Sequence, residues 1–279
     1  MSAPALEASG TVPVHEDLAT SGGVLRVTRA GAGAPVILLH GGFGCWAHWI
    51  GNIGALARER LVIAPDLPGF GDSWDPGHCL SPEEQAVVVL EMMDRLGIAS
   101  AHLAGFSFGT LVAVQLALAQ PQRVRSVTLV NLPGVGERTP EALALPSRLS
   151  ALSREQGKRA GVNGSLRELM LCQHQLIDDA LVDLIGDSIA RCRYVTRSIS
   201  KASQMIPLLA QLQCPAMVLI GARDPFHSND LEGRRARIDA VLGAGAVRIV
   251  PDAAHWLQYD QADVFNRALI EFTGAGKQT

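Results

Sequence analysis

Residues 101–119 read AHLAGFSFGTLVAVQLALA and carry no formally charged side chain. A run of that length can span a bilayer. Gly105, Ser107 and Gly109 interrupt it near its start, however, and divide it into a short apolar strand, 101–104, and a helix, 108–119. The expected structure is a buried strand–turn–helix, not a membrane span. The turn Gly105-Phe106-Ser107-Phe108-Gly109 has the form GxSxG. With 28 glycines in the chain, chance alone produces this pattern in roughly 0.1–0.2 of chains of such length. Its weight comes from its position between strand and helix. There a serine is pushed outward on a strained turn, and residues without side chains two positions away let strand and helix approach.

Working upstream, residues 35–39 (PVILL) form an apolar run stopped by Gly41-Gly42, and residues 61–64 (LVIA) form another stopped by Pro65-Asp66. Short β-branched runs of this kind suit strands covered on both faces, as in a parallel sheet. Residues 24–28 alternate like a half-buried strand. Ser81-Pro82-Glu83-Glu84 has the composition of a helix start, with a serine cap, proline at the first helical position and acids in the first turn. Downstream, 124–130, 216–220 and 246–250 read as strands, and 231–242 and 264–272 as helices. This alternation predicts an α/β fold with a mostly parallel, doubly wound sheet. Between Leu132 and Gln211 the pattern is helical throughout, and eighty residues of bare loop would be anomalous. The expected organisation is a flexible N-terminal arm over 1–20, a core from 21–131 and 212–279, and a helical insertion over 132–211.

Bulk properties narrow the function classes. Apolar residues make up 48% of the 279, enough for one large core, and the net charge of −3 argues against a nucleic-acid partner. The five cysteines (Cys45, Cys79, Cys172, Cys192 and Cys214) are odd in number, widely spaced and free of CxxC pairs. They read as reduced thiols, neither a disulfide framework nor a zinc site. The first 35 residues contain Glu7, His15, Glu16 and Asp17 and no apolar secretory segment, so the expected location is cytoplasmic.

Three further segments supply partners for Ser107. His40-Gly41-Gly42-Phe43-Gly44 follows the 35–39 strand, and its glycines let backbone N–H groups turn toward a substrate. The N–H groups of Gly42 and Phe108 are the expected oxyanion hole. His40, ahead of the glycines, is expected to pack behind them. Asp224 follows the 216–220 strand and His255 follows the last strand. An imidazole to accept the serine proton and a buried carboxylate to orient it complete a nucleophilic system, in the chain order Ser, Asp, His. His227 lies near Asp224 but in the wrong loop for the base, and is expected at the surface or the pocket rim. Asp252 is expected to support the His255 loop.

With these motifs assembled, the sequence resembles the α/β-hydrolase superfamily over roughly residues 24–273. The HGG turn, the Asp66-Leu67-Pro68-Gly69-Phe70-Gly71-Asp72-Ser73 loop, GFSFG, GARDP and the final AAH occur in that family's order. The resemblance implies that the 132–211 insertion is a cap following strand six. It also points toward small capped bacterial serine esterases and carbon–carbon bond hydrolases. The serine excludes relatives with an aspartate nucleophile. Some relatives place the acid after strand six, where this chain has Val130-Asn131-Leu132 and no carboxylate.

Carbon–carbon hydrolases of ring-cleavage products carry asparagine before the serine and a GPG extension of the glycine turn. Here Phe106 precedes the serine and Phe43-Gly44-Cys45 follows the glycines. The expected reaction is therefore hydrolysis of a carboxylic ester or thioester with an apolar or aromatic acyl group. Carbon–carbon hydrolysis, a lyase, or a ligand receptor on the same fold are the alternatives. Phe43, Trp46, Phe226 and Trp256 are the expected pocket residues, joined by Phe108. Ten basic residues in the insertion, among them Arg138, Arg191 and Arg197, are nearly matched by eight acids, which suits a mixed solvated face. No metal or organic cofactor is expected, and the partner is a small-molecule substrate.

Overall fold

The computed structural model describes residues 12–202 and 204–274. Eight strands, β1 (Val14–Ala19), β2 (Val24–Ala30), β3 (Ala34–Leu39), β4 (Arg60–Pro65), β5 (Ala101–Phe106), β6 (Val124–Val130), β7 (Ala216–Gly221) and β8 (Val247–Val250), form one sheet. Their order is β1-β2-β4-β3-β5-β6-β7-β8. The first three neighbours pair antiparallel, and β4 through β8 run parallel. The apolar runs reflect burial on both faces. In β3, Ile37 and Leu39 enter one core cluster while Val36 and Leu38 enter the other, all with no exposure.

The helices follow from local chemistry. In α1 (Pro82–Arg95) the Ser81 side chain accepts from the N–H of Glu84, and the Glu84 carboxylate accepts from the N–H of Ser81 at 2.7 Å. The helix α2 (Phe108–Ala119) is apolar nearly all round because it is covered on nearly every side. Between β6 and β7 the described residues contain helices and turns only. These are α3 (Pro140–Gln156), α4 (Lys158–Ser165), α5 (Asp179–Ala190), α6 (Arg197–Ala202) and α7 (Met205–Leu209). A single π-helical turn, Leu166–Met170, extends α4. The last two long helices are α8 (Leu231–Leu242) and α9 (Ala262–Gly274).

The N-terminal arm expected over 1–20 needs correction. Residues 1–11 lie outside the described residues, but 14–19 form β1, paired with β2 from Val14↔Arg29 to Ala19↔Val24. This edge strand is polar and carries little alternation, so periodicity does not reveal it. Cross-strand chemistry holds it instead. Asp17 faces Arg26 at 3.1 Å, Glu16 lies diagonal to Arg29 at 2.9 Å, and His15 bonds the Thr28 hydroxyl at 2.9 Å. Charge on an exposed edge also discourages pairing with other chains.

Because β3 and β5 through β8 are parallel, their carboxyl ends lie on one edge. The turns carrying Gly42, Ser107, Asn131, Asp224 and His255 all leave from that edge.

Candidate active site

Ser107 sits between β5 and α2 with φ +50 and ψ −112, a conformation that L-residues rarely hold. The flanking glycines are required by backbone contact. A Cβ on Gly105 would lie 2.5 Å from the Gly109 carbonyl oxygen, and one on Gly109 would lie 2.2 Å from that of Leu39. Phe108 opens α2, so its N–H belongs to the first turn, where no helical carbonyl is available to receive it. Its ring packs against Phe70, away from the cavity.

The predicted partners converge. His255 Nε2 lies 3.2 Å from Ser107 Oγ, and its Nδ1 lies 2.7 Å from Asp224 Oδ2. Asp224 is completely buried. Burial alone would raise its pKa, but the neighbouring imidazoles of His255 and His227 outweigh that and hold the carboxyl far below the usual range. His227 is not a rim residue. It is 3% exposed, and its Nδ1 reaches the same Asp224 Oδ2 at 2.7 Å. The tight turn after Asp224, where the His227 N–H donates to the Asp224 carbonyl at 2.9 Å, brings it inward.

The loop carrying His255 is fastened from three directions, and Asp252 adds only surface contacts. That side chain is exposed and pairs with Arg223 at 3.2 Å. Asp260 does the work instead, accepting from the N–H of Ala254 at 2.9 Å and of Cys172 at 2.8 Å. The π-helical turn accepts the N–H of His255 at Leu169 O (3.1 Å) and that of Trp256 at Met170 O (2.9 Å). Asn131, with φ +47, donates from Nδ2 to the carbonyls of Ala254 (3.1 Å) and His255 (2.7 Å). Its Oδ1 accepts from the N–H of Gly221 at 2.9 Å. The position without a carboxylate after β6 is thus a clamp on the histidine loop. Its positive φ is one that asparagine tolerates.

Ser107 and His255 open into a cavity of about 210 Å³. Gly42, Phe43 and Phe226 line it, with Leu149, Met170 and Ile185 from the insertion. Trp46 and Trp256 do not line it. Trp46 packs on His15, with centroids 4.8 Å apart. Trp256 is fully buried, stacked on Tyr259 at 4.3 Å and donating from Nε1 to the His48 carbonyl at 2.7 Å. An indole with its N–H satisfied by backbone is a packing element.

Two further polar groups lie at the cavity, His48 and Arg138, the latter not on the solvated face expected for it. His48 accepts the Gly41 N–H at 3.2 Å, and burial, with His40 and His255 nearby, pushes its pKa well down, so it is neutral. Arg138 holds its guanidinium 4.5 Å from the Phe226 ring centre and makes no ion pair among the described residues. Burial lowers its pKa, opposed by Asp224. His40 packs behind the glycines, accepting the Leu67 N–H at 2.9 Å and held neutral by a pKa of about 4.

Comparison with known proteins agrees with this architecture. A family model described as the alpha/beta hydrolase fold matches residues 34–262. The chain is 30% identical over 276 residues to the dihydrolipoyllysine-residue acetyltransferase component of the acetoin cleaving system of Pseudomonas putida, covering 95% of this chain and 70% of that protein. It is 29% identical over 273 residues to the 2-hydroxy-6-oxo-6-phenylhexa-2,4-dienoate hydrolase of Burkholderia cepacia, covering 90% and 92% of the two. Among solved structures, a meta-cleavage product hydrolase from Pseudomonas fluorescens superposes with a TM-score of 0.76 at 23% identity, covering 94% of this chain and 98% of that one. With the family match spanning most of the chain and the sheet, turns and helices in the arrangement described, this protein belongs to the α/β-hydrolase fold family.

Proposed function

We propose that the protein is a serine-dependent hydrolase that cleaves the carbon–carbon bond beside a ketone in a small, carboxylate-bearing substrate. The observation that carries the serine chemistry is the unbroken line from Ser107 Oγ through His255 to buried Asp224, opening into a mostly apolar cavity. Ser107 Oγ adds to the carbonyl carbon while His255 Nε2 takes its proton. The N–H groups of Gly42 and Phe108 hold the oxyanion. The carbon–carbon bond then breaks, its electron pair leaves with the departing carbon, and that carbon receives the proton from His255. Water, deprotonated by His255, releases the acid from Ser107. The helices of 140–209 act as the cap that excludes bulk water, and Arg138 anchors the substrate carboxylate.

The carbon–carbon reading replaces the ester expectation as the main one. The hydrolases among the relatives act on dienoates and match this chain nearly end to end. An unpaired guanidinium also suits such a substrate better than a neutral ester. Ester hydrolysis stays as the second reading because Phe106, 1% exposed, stands where ring-cleavage hydrolases carry asparagine.

The test compares 2-hydroxy-6-oxo-6-phenylhexa-2,4-dienoate, followed by loss of its conjugated chromophore, with p-nitrophenyl acetate. Wild type and Ser107→Ala are run together. Loss of Oγ is expected to lower kcat by a factor on the order of 10³–10⁶ with folding intact. Serine-dependent turnover of the dienoate supports the main reading, and turnover of the ester alone transfers it to the second. Turnover of neither by folded protein overturns both.

A further inference from the structure

His227 has no part in the reaction just described, yet it shares a carboxylate oxygen with the catalytic base. His227 Nδ1 and His255 Nδ1 each lie 2.7 Å from Asp224 Oδ2, while Asp224 Oδ1 accepts from the N–H of Phe226 at 2.9 Å. The other nitrogen of His227, Nε2, lies 2.9 Å from the backbone carbonyl oxygen of Leu132. A carbonyl oxygen can only accept, so Nε2 must carry a proton. An ionised carboxylate can only accept, so Nδ1 must carry one too. A neutral imidazole has a single N–H, and placing its lone pair against either oxygen at these distances is repulsive. His255 is different, because its Nε2 faces a hydroxyl, which can donate.

We propose that His227 is held as an imidazolium on the far side of Asp224, a positioning residue that makes His255 a weaker base and a stronger acid.

Among the surrounding charges Asp224 favours this assignment, and the guanidiniums of Arg234 and Arg138 oppose it. Asp224 is the only acid touching either ring among the described residues. From α8, buried Arg234 donates from Nε to the His227 carbonyl oxygen at 3.2 Å. Beside it, Arg237 is paired with Asp230 at 2.6 Å. From the segment after β6, Arg138 lies over Phe226, and Glu137 meets Arg234 through its backbone carbonyl. His48, near His255, is neutral. His227 therefore lies against one full negative charge that it must share with His255.

The consequence has a definite sign. His255 works as a base only while neutral, and a cation on the shared carboxylate opposes its protonation. The two Nδ1 atoms touch one oxygen, so they are separated by no more than twice 2.7 Å. Like charges that close oppose one another's protonation even at an effective dielectric near 20. His255 then stays neutral to lower pH, and its protonated form gives up the proton more readily to a carbon leaving group. This last consequence rests on the reaction proposed above, but the charge on His227 does not.

The decisive experiment is nitrogen NMR of the protein labelled with ¹⁵N-histidine, recorded from pH 5 to 9. His227→Gln and His227→Asn assign the ring signals. Two protonated ring nitrogens on His227 at pH 7.5 are expected, and one would overturn the proposal. In His227→Gln, both the protonation of His255 and the acid limb of kcat/KM should move upward by about one pH unit or more. Unchanged positions in a folded variant would also overturn it. Should neither variant fold, the number of doubly protonated histidines in the wild type decides the matter. At pH 7.5 at least one is expected, and none refutes the imidazolium. If no substrate is turned over, the proposed reaction fails, while the nitrogen spectra still decide the state of His227.

Discussion

Replacing Asn131 by alanine tests whether the histidine loop is held from the end of β6. The side chain is 1% exposed and satisfies two carbonyls, Ala254 O and His255 O, and one N–H, that of Gly221. Each buried group left without a partner costs about 1–3 kcal/mol, and a water entering the vacated space would keep the total near the low end. Alanine also holds the +47 φ less well than asparagine, by up to about 1 kcal/mol. The expected loss is therefore about 3–5 kcal/mol, a large fraction of the roughly 5–15 kcal/mol that stabilises a typical domain. In a protein of this size that corresponds to a fall in Tm of roughly 6–15 °C. Activity should fall independently. The amide fixes the carbonyl of His255 itself, and a displacement near 1 Å in the base costs about 10²-fold in kcat. Urea unfolding followed by circular dichroism gives the first quantity. Steady-state kcat, measured cold enough for the variant to be fully folded, gives the second. Asn131→Asp keeps the acceptor for Gly221 but turns a carboxylate oxygen toward two carbonyls, so it should be no better than alanine. A melt within 2 °C of wild type together with unchanged kcat would refute the reasoning.

The insertion and the glycine turn should couple measurably. A Cβ on Gly42 would meet Thr196 Oγ1 at 2.2 Å and Thr196 Cβ at 3.6 Å, so Gly42→Ala is expected to cost about 1–3 kcal/mol. Most of that cost should vanish in a Thr196→Ala background, and equal costs in both backgrounds would show that Thr196 does not pack there. Arg138→Gln should raise KM for a carboxylate substrate by about 10–100-fold, the worth of a charge-assisted hydrogen bond. It should alter kcat/KM for neutral p-nitrophenyl acetate less than about threefold. A parallel fall on both substrates would remove Arg138 as the anchor.

Asp224 is asked to serve two imidazoles at once. In a site with a single histidine, the full carboxylate charge stabilises the imidazolium formed as the serine attacks. In the proposed arrangement part of that field is already spent on His227. On the proposed reaction the gain is on the return step, in which the proton must be surrendered. A leaving carbon demands that proton before it can depart, whereas a p-nitrophenolate departs without it. The phenolate ester is thus the substrate on which removal of His227 should be best tolerated.

The turn residues Gly105, Ser107 and Gly109 were legible in the sequence because their spacing marks a strand–turn–helix. Gly105 meets the Gly109 carbonyl four residues on, a local constraint, whereas Gly109 is kept bare by the distant backbone of Leu39 in β3. The Ser81–Glu84 cap was legible too, as were the apolar strands, whose two-sided burial is written in continuous β-branched runs. Asp224 and His255 were legible through their positions after strands and their order along the chain. What the sequence could not determine was which side chains meet across large separations. Asn131 holds residues 123 and 124 positions away, and the carbonyls of 169 and 170 hold the N–H groups of 255 and 256. Trp46 and Trp256 resemble pocket aromatics by neighbourhood, yet packing against His15 and Tyr259 turns them elsewhere. β1 carries too little hydrophobic alternation to be seen and exists because β2 offers it charges in register. Periodicity reports the faces an element must bury. The partner on the other side of that face is chosen by how distant elements pack, and only the tertiary structure contains that choice.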